Sequence, residues 1–149
     1  MVKPLKILAA LWLLLLLCLG PGMAAEEKLS EYGNPFVWVT VGQTGVKAEV
    51  VHAPGKVYLG LGYRQELPEG RGMLFLMPRL EPQNFCMRGM KFPIDIIWIV
   101  GGKVVGLEKN VSPRFPGNLC SPEPVNYVLE VPGGFCDRAG IKVGNPVKW

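Results

Sequence analysis

Asp95 is the residue whose neighbours constrain its chemistry most. It stands in Ile94-Asp95-Ile96-Ile97-Trp98-Ile99-Val100. Strand alternation puts Ile94, Ile96, Trp98 and Val100 on one face and Asp95, Ile97 and Ile99 on the other. Both faces are apolar, so the strand is covered on both sides, and a carboxylate there needs a cation or several hydrogen-bond donors. Arg64 is the first-choice partner and Arg88 the second, with Lys91 close by. Two roles are open: Asp95 staples two loops together, or it lines a cleft as a site carboxylate. Arg64 follows Gly60-Leu61-Gly62-Tyr63, where its planar fork can close a turn or bind an anion. Arg88 and Lys91 flank Gly89-Met90 and form a small basic spot suited to a carboxylate or phosphate. Asn110 suits a turn and can also meet a ligand. A binding site drawn from the sequence therefore comprises Arg64, Arg88, Lys91, Asp95 and Asn110.

Other chemistries find little footing. His52 is the one histidine, and neither Ser112 nor Ser121 sits in a nucleophile-elbow pattern that a hydrolase triad would use. Gly70-Arg71-Gly72 is too short for a phosphate loop and lacks the Gly-Lys-Ser/Thr ending. Pairs such as Asp95 with Glu108 or Glu130 are conceivable for acid–base work on a glycan, but their spacing does not favour it. Cys86, Cys120 and Cys136 lack the close spacing of a zinc site, so no metal is assigned. Met73, Met77, Met87 and Met90 read as core fillers.

These residues hang on short elements. The run Phe36 to Val41 predicts an added strand or a lightly packed leader, and Val46 to Val51 a strand closed by Ala53-Pro54-Gly55. Lys56 to Arg64 is ambiguous, because Gly60 and Gly62 weaken a helix. Met73 to Met77 predicts a buried strand ended by Pro78, and Phe85 to Met87 its continuation in the sheet. Ile94 to Val100 is the strongest strand, and Gly101-Gly102 turns it into a hairpin with Lys103 to Leu107. Asn110 to Pro124 carries four prolines and reads as a long loop. Tyr127 to Val131 is a further strand, a helical turn follows near Cys136 to Ala139, and Val143 to Trp149 closes the chain.

The chain of 149 residues opens with Lys3 and Lys6, then thirteen uninterrupted apolar residues from Ile7 to Leu19, then Gly20-Pro21-Gly22 and Ala24-Ala25 before Glu26-Glu27. That order is the plan of a secretory signal peptide over residues 1–25. The alternative is a membrane anchor formed by an uncleaved N-terminus, for which about 20 apolar residues are needed. The expectation is export, periplasmic or extracellular, with the membrane met only through the transient signal peptide. An oxidising compartment favours paired thiols. Two of Cys86, Cys120 and Cys136 are therefore expected to form a disulfide, Cys120 first because its loop is adaptable; the other reading is three buried, unreactive thiols. Lys+Arg 16 against Asp+Glu 12 gives a net charge of +4 with no basic cluster, which excludes a nucleic-acid footprint. Gly 19 and Pro 14 interrupt helices and favour short strands and tight turns.

Read in order, several blocks form a pattern. They are Gly60-Leu61-Gly62-Tyr63-Arg64, Gly72-Met73-Leu74-Phe75, Phe85-Cys86-Met87-Arg88-Gly89-Met90 and Phe92-Pro93-Ile94-Asp95-Ile96-Ile97-Trp98-Ile99. Gly102-Lys103-Val104-Val105, Glu108-Lys109-Asn110-Val111, Tyr127-Val128-Leu129-Glu130-Val131 and Gly140-Ile141-Lys142-Val143-Gly144 continue it. From Val46 onward the chain resembles the prokaryotic family catalogued as domain of unknown function 192. The resemblance implies a compact β-rich fold, often exported, with no established biochemical role. Three positions depart from the family pattern: Gly62 where Met is common, Cys86 where Trp is common, and Asn145 where Asp is common. Cys86 in place of an aromatic opens space or sets a thiol beside another cysteine.

The fold class is thus mainly β, a compact antiparallel β-sandwich or small barrel with at most one or two short helices. Residues 1–25 read as signal peptide, 26–45 as an N-terminal leader or extra strand, and 46–149 as a single β-rich domain. The expected function is an exported, non-enzymatic accessory domain that binds a small ligand or an envelope protein. The alternatives are a hydrolase-like enzyme on envelope or extracellular material using Asp95, and a structural interaction module. No cofactor and no catalytic residue is assigned.

Overall fold

The computed structural model describes residues 29–149, so the expected signal peptide lies outside the described residues. The described chain is mostly β. Strands β1 (Phe36–Val41) and β2 (Thr44–Val51) precede helix α1 (Pro54–Leu59), and β3 (Arg71–Glu81) and β4 (Asn84–Cys86) follow it. Then come β5 (Ile94–Val100), β6 (Lys103–Val111), β7 (Asn118–Cys120), β8 (Val125–Pro132), helix α2 (Phe135–Arg138) and β9 (Val147–Lys148). Seven strands form one sheet in the order β6-β5-β8-β3-β2-β1-β9, while β4 and β7 form a separate ribbon.

Local chemistry explains most of these elements. The β5–β6 hairpin turns on Gly101 and Gly102, at φ 57° and 69°, the left-handed pair that a tight two-residue turn requires. All neighbours in the main sheet are antiparallel except β2 and β3. Parallel neighbours cannot be joined by a tight turn and need a crossover, here residues 52–70 with α1 inside it. The expected stop at Pro78 is overturned: β3 runs to Glu81, because its pairing with β8 is irregular between Leu76 and Glu81 and no ladder donor is demanded of the proline. The expected long loop after Asn110 also holds β7, which pairs with β4.

The sheet curls into a half-barrel. Its edges approach where Val147 N–H donates to Gly102 O at 2.8 Å and Val104 N–H to Asn145 O at 3.0 Å. Inside the curl lies one core, with Val39, Val46, Leu74, Ile97, Leu129 and Val131 joined by Phe135 and Cys136 of α2. The other face carries a second core, in which Phe75, Ile96, Trp98 and Val128 pack under Leu61, Leu119 and the partly buried Phe85. Strand β5 feeds both cores with buried isoleucines, as its two apolar faces require. Each such side chain contributes roughly 1.5–3 kcal/mol through burial.

Candidate functional site

Register places two carboxylates beside one methionine. Glu49 on β2 lies across from Met73 on β3, and Met73 lies across from Glu130 on β8. Residues so paired point to the same face of a sheet, here the face of the second core. Their environments differ sharply.

Glu49 is fully satisfied. Arg64 grips it with a two-pronged fork, Nη1 to Oε1 at 2.5 Å and Nη2 to Oε2 at 3.0 Å. The Asn34 amide and the Ser30 hydroxyl donate to Oε2 at 2.8 and 2.9 Å. Burial works to raise this carboxyl, but the guanidinium and the two neutral donors together hold it below the usual carboxylate range. The Arg64 guanidinium in turn stacks on the Tyr32 ring at 3.8 Å. Glu49 and Arg64 thus lock the first described residues onto the sheet.

Glu130 is left with one unpartnered oxygen. It is buried, and its Oε2 makes no hydrogen bond within the protein. Burial pushes its carboxyl up to about 8, against the opposing pull of the Arg64 charge. At neutral pH the group is therefore a neutral acid, able to donate or accept a hydrogen bond. Above it opens a cavity of about 480 Å³ with walls that include Leu61, Phe75, Met77 and Phe85. Among the described residues, Glu130 is the only carboxylate lining this cavity, and Arg88 is the only lysine or arginine. A smaller cavity of about 250 Å³ adjoins it, sharing Leu59, Gly60, Gly62 and Tyr63 and reaching Arg64 and Met73.

The wall between the cavities is built by the crossover. Pro54 opens α1, and Gly60 closes it at φ 52°. A Cβ at Gly62 would stand 2.9 Å from Leu59 O and 3.0 Å from Arg88 O, so glycine lets the two loops touch. Arg88 stands at the mouth, hydrogen-bonded to the Tyr58 hydroxyl, within 3.8 Å of Cys86 Sγ, and stacked over the Tyr58 ring at 4.7 Å. Gly62 and Cys86 both line the larger cavity.

The residues expected to form one site are divided. Arg64 and Arg88 reach this face, and Lys91 is exposed nearby in the chain. Asp95 lies on the opposite face. It is fully buried, as its strand demanded, but an arginine partner is overturned: Oδ1 accepts the N–H groups of Asn110 and Gly134 at 2.7 and 2.8 Å, and Oδ2 that of Cys136 at 2.7 Å. Three amides replace the cation because Arg64 sits across the sheet with Glu49. Asp95 is a staple between the end of β6 and the start of α2, and Asn110 serves it through its backbone at φ 47°. With no exposure to solvent, Asp95 is out of a substrate's reach.

The expected disulfide is also overturned, since Cys86, Cys120 and Cys136 are all free. Cys136 is buried inside the first core, where burial and the adjacent Asp95 carboxylate push its thiol up to about 12. Cys86 and Cys120 stand diagonally on the β4–β7 ribbon, opposite Asn118 and Asn84. Diagonal neighbours lie about 7–8 Å apart, at or beyond the limit for bridging. Among the described residues no group of three or more His, Cys, Asp or Glu could hold a metal ion, and no helix is long and apolar enough to cross a membrane.

Glu130 was only weakly marked in the sequence, and Glu49 not at all. The signal available was the one that marks Asp95, a carboxylate inside a β-branched strand, since Val46 to Val51 and Tyr127 to Val131 each hold one.

Comparison with known proteins agrees with this fold. A family model described as Uncharacterized ACR matches residues 37–149. The structure is similar to the crystal structure of a protein of unknown function from Novosphingobium aromaticivorans, at 31% identity and a TM-score of 0.80, covering 85% of this chain and 94% of that one. It is also similar to a protein from Sinorhizobium meliloti provisionally named a transcription regulator, at 26% identity and a TM-score of 0.73, covering 77% and 94% of the respective chains. No curated protein matches the sequence.

Proposed function

The chain belongs to the DUF192 family, whose model spans residues 37–149, and on that footing we propose that it is a binding protein for a small, mainly apolar ligand. The observation that carries this reading is Glu130. An acid whose Oε2 lacks a partner, at the floor of an apolar cavity of about 480 Å³, costs stability that the fold alone does not require. A protonated acid at the floor adds no charge to the cavity, so an apolar ligand body can lie over it against the apolar walls. Among the described residues the cavity offers one carboxylate where paired acid–base chemistry needs two, so binding is preferred to hydrolysis.

Titration with the fluorescent probe N-phenyl-1-naphthylamine tests the cavity. Saturable enhancement is expected, and Cys86→Trp, which fills the cavity from an exposed wall position, should abolish it while leaving a cooperative melt. A wild-type protein that gives no saturable signal would sink the reading.

The same reading puts the protein outside the cytoplasm after loss of residues 1–25. The charged start, the apolar run and the small-residue exit support it. Amino-terminal sequencing of exported protein should begin between Ala25 and Glu27; recovery of Met1 would count against export by cleavage.

A further inference from the structure

We propose that the ligand is an apolar monocarboxylate, held with its carboxylate on Arg88 at the cavity mouth and its apolar body over Glu130. This rests on the binding reading above and names the head group.

Charge complementarity carries the assignment. Among the described residues, Arg88 is the only lysine or arginine of the cavity lining. The side-chain partners it has, the Tyr58 hydroxyl and the Cys86 thiol, carry no formal negative charge to offset it. The Tyr58 ring beneath the guanidinium holds its planar fork at the mouth, which lowers the cost of fixing it for a two-pronged contact. The remaining charges near the cavity do not cancel Arg88. Arg64 is spent on Glu49, and Glu130 keeps its proton at neutral pH. His52, also in the lining, can only add positive charge. An ammonium head would meet Arg88 uncompensated. A carboxylate head would neutralise it, and Leu61, Phe75, Met77 and Phe85 would enclose one ring or a short acyl chain.

Three probes with one body separate the possibilities: 4-phenylbutyrate, 4-phenylbutan-1-ol and 4-phenylbutylamine, titrated by calorimetry at neutral pH. Butyrate should bind at least tenfold more tightly than the alcohol, and the amine least. Arg88→Gln should bring the butyrate down to the alcohol's affinity, and Arg88→Glu should make the amine the tightest of the three. Far-ultraviolet circular dichroism of both variants checks that they fold; Arg88 is exposed, so both should. An alcohol that matches the butyrate on wild type, or an Arg88→Gln protein that keeps the preference, overturns the proposal. If none of the three binds while N-phenyl-1-naphthylamine does, the head-group assignment fails and the cavity reading stands. If that probe fails too, both fall.

Discussion

Glu49 and Glu130 have the same side chain, the same face and the same neighbour, yet they titrate in opposite directions, and stability should follow each with opposite sign. Glu49 lies below its ordinary value of 4.5, so its contribution is present above that value and lost as pH falls through the folded one. Glu130 lies above it, at about 8, so its contribution is complete below 4.5 and lost as pH rises to 8 and beyond. A rise of this size corresponds to a loss on the order of 4–5 kcal/mol. Glu130→Gln should therefore match wild type near pH 4.5 and exceed it at pH 9, as read from urea midpoints; parallel curves across that range would show that Glu130 is not held neutral. Asp95→Asn puts an amide donor against amides that donate, and should cost about 3 kcal/mol in the same melts. Combined with Arg64→Met its effect should simply add, whereas Glu49→Gln and Arg64→Met should couple strongly in a double-mutant cycle. Coupling between Asp95 and Arg64 would contradict the geometry. The burial of Asp95 was legible because alternation fixed both faces of its strand. Its partners were not, because backbone amides carry no sequence signature and only folding brings residues 110, 134 and 136 together.

Short elements are held here by close contact at particular glycines. Gly106 on β6 would place a Cβ 2.7 Å from Pro122 Cγ and 3.0 Å from Trp98 Cδ1, so the proline-containing segment packs directly on the strand. Gly106→Ala should cost about 1–3 kcal/mol through overpacking. Gly101, at the β5–β6 turn, has nothing within 4 Å of the same position, and asparagine tolerates its left-handed φ. Gly101→Asn should leave thermal stability unchanged or raise it by up to about 1 kcal/mol; thermal melts of the two variants moving the same way would break this contrast. Strand cores and the Gly-Gly hairpin were readable because period and turn chemistry are local. The β4–β7 ribbon was not, since Asn118-Leu119-Cys120 is too short for a periodic signal and its partner lies more than thirty positions earlier. The free cysteines follow from that ribbon: it sets Cys86 and Cys120 on a diagonal and leaves Cys136 to the core.

At the scale of the molecule, one curled sheet serves two cores, and the candidate cavity lies on its outer core, away from the Asp95 staple. Composition foretold a β-rich fold without long helices. The order of the strands was beyond it, and so was the single parallel pairing that sends the crossover over Glu130. One feature of that order bears on the protein's birth. Strand β1, the first of the described strands, pairs with β9, the last of them, and β9 also lies at the junction where the two sheet edges meet. A ribosome delivers these partners about a hundred residues apart, so the closed sheet cannot form until Lys148 has emerged. Until then β1 offers an open edge. Deleting residues 146–149, and β9 with them, should trap the chain in that unfinished condition: digested by protease far faster than the protein that keeps them.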